Sequence, residues 1–135
     1  KPGMSEENKA MVRNAVDALG RGDLDGFLAD ATDDFEFVLG GDPPGGNTIK
    51  GKQELLELLK MMFSAKLVNS AVPMTIDNIV SEGDIVMEQA HGEARTLDGR
   101  DYNNMYCRVW RFRDGKIEGL TEYMDTELAR SCLWT

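Results

Sequence analysis

A chain of 135 residues is long enough to bury one core, so we expect a single domain over residues 1–135, with residues 1–4 (Lys1, Pro2, Gly3, Met4) an expression remnant or frayed tail. Fifteen basic against 24 acidic residues give a net charge of −9, which argues against nucleic acid and against an anionic membrane as partners. Cys107 and Cys132 form neither a metal motif nor a disulfide framework, no apolar run approaches transmembrane length and the first residues lack a signal-peptide core, so the expected setting is the reducing cytoplasm.

Ser5 followed by Glu6 and Glu7 predicts a helix N-cap, and Val12, Ala15, Val16 and Leu19 make the apolar stripe behind it. Gly20-Arg21-Gly22 stops that helix. Asp23 caps a second, shorter one with Leu24, Phe27, Leu28 and Ala31 facing inward. Phe35, Phe37 and Leu39 then alternate along a strand that runs into the breaker cluster at 40–47, either a plain connection or a pocket rim. Residues 51–67 supply the longest helix, whose wide face (Leu55, Leu56, Leu59, Met62, Phe63) must lie on a sheet, with Met61 and Met62 as core filler. A strand over 72–80, a turn at Ser81-Glu82-Gly83-Asp84 and a strand over 85–97 follow. Asp98-Gly99 and Asp114-Gly115 mark two tight hairpin turns, and residues 126–134 form a last turn or two of helix.

Two-residue loops at both turns set the register. Arg113 pairs with Lys116, which puts Trp110 opposite Gly119, Arg108 opposite Thr121, Tyr106 opposite Tyr123 and Asn104 opposite Asp125. The other hairpin sets Met87 beside Trp110, Gln89 beside Arg108, His91 beside Tyr106 and Glu93 beside Asn104. One sheet face then has an apolar end (Ile85, Met87, Trp110, Phe112, Ile117) and a polar end (Gln89, His91, Glu93, Asn104, Tyr106, Arg108, Tyr123, Asp125), the gradient of a ligand pocket. The expected fold is α+β, with helices packed on one side of a strongly curved antiparallel sheet.

Asp17-Ala18-Leu19 before Gly22-Asp23-Leu24, Asp33-Asp34-Phe35, Gly51-Lys52, Glu82-Gly83-Asp84, Asp114-Gly115-Lys116-Ile117 and Glu122-Tyr123-Met124-Asp125 resemble the cone-shaped superfamily that contains nuclear transport factor 2, ketosteroid isomerase, limonene epoxide hydrolase and the SnoaL-like polyketide cyclases. That resemblance covers nearly the whole chain and implies a pocket between helices and sheet. The cyclases use an aspartate at the end of the last strand as general acid/base, which implies Asp125, with His91, Tyr106 and Asn104 donating hydrogen bonds to an enolate oxygen. The epoxide hydrolases carry a carboxylate three positions earlier, which implies Glu122 together with a second carboxylate bridged by arginine, from among Glu88, Glu93 and Arg108. A β-bulge in the last strand would exchange Asp125 and Glu122 between the faces, so both stay open. Steroid isomerisation is not implied, since residues 35–41 hold no aspartate and the first tyrosine is Tyr102. Arg108-Val109-Trp110 ahead of Arg113-Asp114-Gly115-Lys116 is similar to the association domain of calmodulin-dependent kinases, where the arginine points into the pocket.

The implied activity is cofactor-free acid/base catalysis by Asp125 or Glu122 on a small, mostly apolar carbonyl compound or epoxide, with Tyr106, Asn104, Arg108, Trp110, Tyr123, Glu93, Gln89 and Met87 around it. The alternative is a non-catalytic ligand-binding or oligomer-building module. No metal site is expected, His91 being the one histidine. The relatives pair through the outer sheet face, which implies a homodimer. Here that face would present Val86, Ala90, Met105, Cys107, Val109, Leu120 and Met124, interrupted by Glu88 and Glu122.

Overall fold

The computed structural model describes residues 2–135. Helix α1 (Pro2–Gly20) starts ahead of the expected Ser5 cap; proline is at home in a first turn, where its missing N–H would have no partner. Ser5 therefore lies inside the helix, and its hydroxyl meets that of Ser81. Asp23 does cap α2 (Leu24–Phe27), its carboxylate accepting from Gly26 N at 2.9 Å. Strand β1 (Ala31–Leu39) is longer than its alternating core and takes Ala31 from the helix that was expected to hold it. After the 40–47 loop a short strand not foreseen, β2 (Thr48–Lys50), folds back antiparallel on β1.

Helix α3 (Lys52–Lys66) buries Leu55, Leu56 and Phe63. The rest of the chain is β3 (Met74–Glu82), β4 (Ile85–Gly92), β5 (Ala94–Arg95), β6 (Asp101–Tyr102), β7 (Met105–Arg113), β8 (Lys116–Met124) and α4 (Thr126–Leu133). The main sheet runs β2-β1-β8-β7-β4-β3, and β5 and β6 form a separate two-stranded ribbon. Every neighbouring pair is antiparallel except β1 and β8, which run parallel, so the sheet is mixed. The fold is α+β: one sheet face packs with α1, α2 and α3 around Val12, Val16, Leu28, Phe35, Leu55, Trp110 and Leu120. No helix among the described residues is long and apolar enough to cross a membrane.

Two slips of one residue decide which side chains face that core. The turn at Asp114 (φ 51°) and Gly115 (φ 79°) has both central residues in the left-handed region, and Arg113 pairs with Lys116 as expected. Glu118 is then an extra residue in β8. Beyond this bulge Arg111 pairs with Gly119, Trp110 with Leu120 and Arg108 with Glu122. The turn at Asp98-Gly99 has three residues rather than two: Thr96 N donates to Arg100 O at 2.8 Å, Thr96 Oγ1 accepts from Arg100 N at 2.8 Å, and Gly99 takes φ 88°. That loop moves β4 by one place, so Val86, Glu88 and Ala90 pair with Trp110, Arg108 and Tyr106. Because side chains alternate along a strand, the loop turns β4 over and the bulge turns over the part of β8 beyond Glu118, while Ile117 and β7 keep their expected orientation.

Candidate functional site

Both slips act on one row of residues. Glu88, Arg108 and Glu122 are register partners on β4, β7 and β8, and all three point to the helix side. Arg108 Nη1 donates to Glu88 Oε1 at 2.9 Å and Nε to Glu122 Oε2 at 2.8 Å. The Arg108 and Glu88 side chains are fully buried, and Glu122 keeps 13% exposure. Trp110 Nε1 adds a bond to Glu88 Oε1 at 3.2 Å, and the Arg108 guanidinium lies 4.7 Å from the Tyr106 ring centroid. Glu88 Oε2 has no partner among the described residues. Two carboxylates share one cation here, and a buried net charge is costly, so the cluster favours holding a proton. Burial pushes the Glu122 carboxyl up, Arg108 opposes that, and Glu88 adds to it. Glu88 is raised for the same leading reason, against the pull of Arg108 and Trp110.

Glu122 opens onto a cavity of about 210 Å³ between sheet and helices. Phe37, Leu39 and Ile49 form one wall, Leu55, Leu59, Met62 and Phe63 of α3 another, and Met74, Tyr102, Tyr106 and Met124 flank the carboxylate. Pro43, Pro44 and Asn47 of the 40–47 loop, with Leu133 and Trp134 at the end of α4, complete the lining. The loop is therefore a pocket rim. Among the described lining residues Glu122 is the one carboxylate, and no lysine or arginine joins it. Burial pushes the Tyr102 phenol up to about 12 and the Tyr106 phenol higher still, so both remain protonated donors at neutral pH. Tyr102 accepts from Asn104 Nδ2 at 3.2 Å, donates to the Met124 thioether at 3.7 Å and is in hydrogen-bond contact with the Tyr106 phenol. Among the described residues no group of three or more His, Cys, Asp or Glu side chains is placed to hold a metal ion.

The family model described as a SnoaL-like domain matches residues 12–119. The chain belongs to the SnoaL-like domain family. Solved structures similar in fold include an NTF2-like protein of unknown function from Burkholderia pseudomallei, at 21% identity, TM-score 0.80, covering 96% of this chain and 98% of that one. An LEH-like epoxide hydrolase from M. tuberculosis matches at 21% identity and TM-score 0.73, covering 96% and 91% of the two chains. A putative SnoaL-like polyketide cyclase from a Jannaschia species matches at 15% identity and TM-score 0.77, covering 96% and 93%. No curated protein sequence matches the chain.

In this SnoaL-like chain, the residues expected at the pocket divide by strand. Tyr106, Arg108 and Trp110 of β7 face inward as expected, although Trp110 packs edge-on against Phe27 beneath the cluster instead of lining the cavity. Glu122 enters because of the bulge. Asp125 does not: its Oδ1 accepts from Glu127 N at 3.0 Å and Leu128 N at 3.2 Å, which makes it the N-cap of α4. Asn104 is buried but structural, joining the start of β7 to the Asp125 backbone through Oδ1 (3.0 Å from Asp125 N) and Nδ2 (3.0 Å from Asp125 O).

The slip in β4 puts Met87, Gln89 and His91 on the outer face. Gln89 accepts from Asn78 at 2.9 Å, while His91 Nδ1 lies 2.8 Å from Asp77 Oδ2, a carboxylate that raises the imidazole's proton affinity. Glu93 is exposed past the end of β4, and Tyr123 stands outside on β8. The same slips carry Val86, Ala90, Leu120 and Met124, expected outside, to the helix side, and with them the two glutamates that would have interrupted the outer face. The signal that finds the true register is charge. Only the shifted pairing sets Glu88 and Glu122 on either side of Arg108, and opposite charges directly across a ladder favour that alignment.

Proposed function

We propose that the protein is a cofactor-independent enzyme that moves a proton to and from carbon in a small, mostly apolar carbonyl compound, with Glu122 as the base. The observation that carries this reading is a single carboxylate of raised proton affinity facing an apolar cavity, flanked by two phenols that stay protonated. Apolar walls bind the body of the substrate. Glu122 takes the proton next to the carbonyl, Tyr106 or Tyr102 donates to the enolate oxygen, and the same carboxyl returns the proton to carbon at a new position or, where the carbanion adds to a second C=O of the substrate and closes a ring, to the alkoxide oxygen so formed. Epoxide opening by two carboxylates is less well supported. Glu88 sits behind Arg108 and outside the cavity lining, so it has no path to a substrate oxygen.

The test is deuterium uptake. A panel of small cyclic ketones incubated with the protein in heavy water should gain deuterium beside the carbonyl, read by NMR. The rate should rise with pH as Glu122 loses its proton, with a midpoint above the ordinary carboxyl value of 4.5. Glu122→Gln should lower the rate by about a hundredfold or more. Equal rates in that variant, or no uptake by ketones that demonstrably bind, would leave a ligand-binding or oligomer-building module as the better reading.

We also propose that two copies pair through the outer sheet face. Val80 (61% exposed) lies beside Met87 (45%) and Val109, and Met105 (66%) and Tyr123 (53%) extend the patch across β7 and β8. A continuous apolar stripe of this kind on a sheet face is more than scattered surface residues explain.

A further inference from the structure

Arg108 distributes its three nitrogens unevenly. Nε and Nη1 each meet a carboxylate, whereas Nη2 is given only the Met74 thioether, at 2.9 Å. Sulfur in a thioether is a weak acceptor, so a buried cationic donor is spent on a poor partner. Met74 begins β3, its backbone is held in the ladder opposite Gly92, and its side chain lines the cavity and is only partly buried. An unbranched side chain with three rotatable bonds moves at little cost. Arg108 is fully buried and outside the cavity lining, whereas Met74, in contact with Nη2, is part of that lining, so the thioether stands between Nη2 and the cavity.

We infer that Met74 is a displaceable plug, and that Arg108 Nη2 beneath it is an oxyanion subsite for the charged oxygen of an enolate or phenolate. The inference rests on the proposed carbon-acid chemistry and supplies what that chemistry lacks, a cationic donor. Before transfer the guanidinium faces the Glu122 carboxylate. After transfer the proton is on Glu122, the C–H bond pair has become the enolate, and the negative charge is on the substrate oxygen. The charge has moved from one edge of the guanidinium to another, so the number of charges in the buried cluster is unchanged.

The probe is 4-nitrophenol, whose ionised form absorbs at a different wavelength, titrated into the whole protein. Wild type should bind it as the phenolate. Met74→Ala, with no plug to displace, should bind it about fivefold tighter, because the contact between Nη2 and the thioether, worth about 1 kcal/mol, no longer has to be given up. Met74→Leu keeps a similar bulk on a stiffer side chain and should stay near wild type. A crystal structure of the Met74→Ala complex should place the phenolate oxygen within hydrogen-bond distance of Nη2. Unchanged affinity in Met74→Ala, or an oxygen held by the tyrosines with Nη2 left unengaged, would overturn the subsite. A phenolate gives up no carbon-bound proton, so its binding is independent of turnover. Phenolate on Nη2 without deuterium uptake keeps the subsite and removes the proposed reaction; uptake without phenolate on Nη2 does the reverse.

Discussion

At the scale of single residues, two carboxylates three positions apart have opposite tasks. Glu122 is drawn into a cluster where burial raises its proton affinity and Arg108 limits the rise, which suits a group that must both take and return a proton. Asp125 instead spends its oxygen on two backbone N–H groups that the first turn of α4 leaves without partners. Asp125→Ala should therefore cost about 1 kcal/mol in a urea-unfolding experiment, and Asp125→Asn should keep wild-type deuterium uptake. A folded Asp125→Asn protein without uptake would return the catalytic role to the aspartate. His91 shows how far one residue's setting depends on its strand: the pairing expected with Tyr106 gives way to a surface pair with Asp77.

At the scale of elements, the bulge at Glu118 and the three-residue loop after Thr96 assemble the site. The loop turns β4 over, the bulge turns over the part of β8 beyond it, and together they bring Glu88 and Glu122 to opposite sides of Arg108. Inserting one alanine between Gly119 and Leu120 keeps the bulge and moves every later residue of β8 by one place, so that Thr121 instead of Glu122 falls opposite Arg108. Glu122 would then point outward, Tyr123 inward, and Arg108 would lose one of its two anions. Breaking one side of a buried ion pair costs about 3–5 kcal/mol, a large part of a small domain's stability. The insertion should thus abolish cooperative thermal unfolding in circular dichroism, or lower the midpoint severely. A stable insertion variant with full deuterium uptake would show that the register of β8 does not place the base. Helix α4 belongs to this scale too: Asp125 starts it, Arg100 Nη1 holds its Ser131 carbonyl at 2.9 Å, and Leu133 and Trp134 reach the cavity.

For the whole molecule, the helices cover one sheet face, and the other carries an exposed apolar patch of Val80, Met87, Met105 and Tyr123 beside the polar pairs of Gln89 and His91. The other is the proposed contact between copies, where a stable interface buries on the order of 1,600 Å² in total. Met105 is the most exposed apolar side chain of that face. Met105→Glu should convert a dimer to a monomer in sedimentation or size-exclusion measurements while leaving the fold intact, because the side chain makes little contact within its own chain. An unchanged mass in that variant, or a monomeric wild type at high concentration, would remove the proposed pairing.

The sequence by itself determined the order of the long helices and strands, the α+β class and the inward face of β7, but not the short β2, because periodicity and turn chemistry are local properties of neighbouring residues. Asp23 as a cap, Asp114-Gly115 as a tight turn, and Tyr106, Arg108 and Trp110 on one side were all legible there. Only the tertiary structure decided the orientation of β4 and β8. A bulge of one residue and a loop of three in place of two differ by little in local energy, and the choice was made by packing Val86, Ala90 and Leu120 against the helices and by setting Arg108 between two glutamates. Whether Glu122 or Asp125 reached the pocket followed from that choice, since a shift of one residue in a strand carries every side chain to the opposite face.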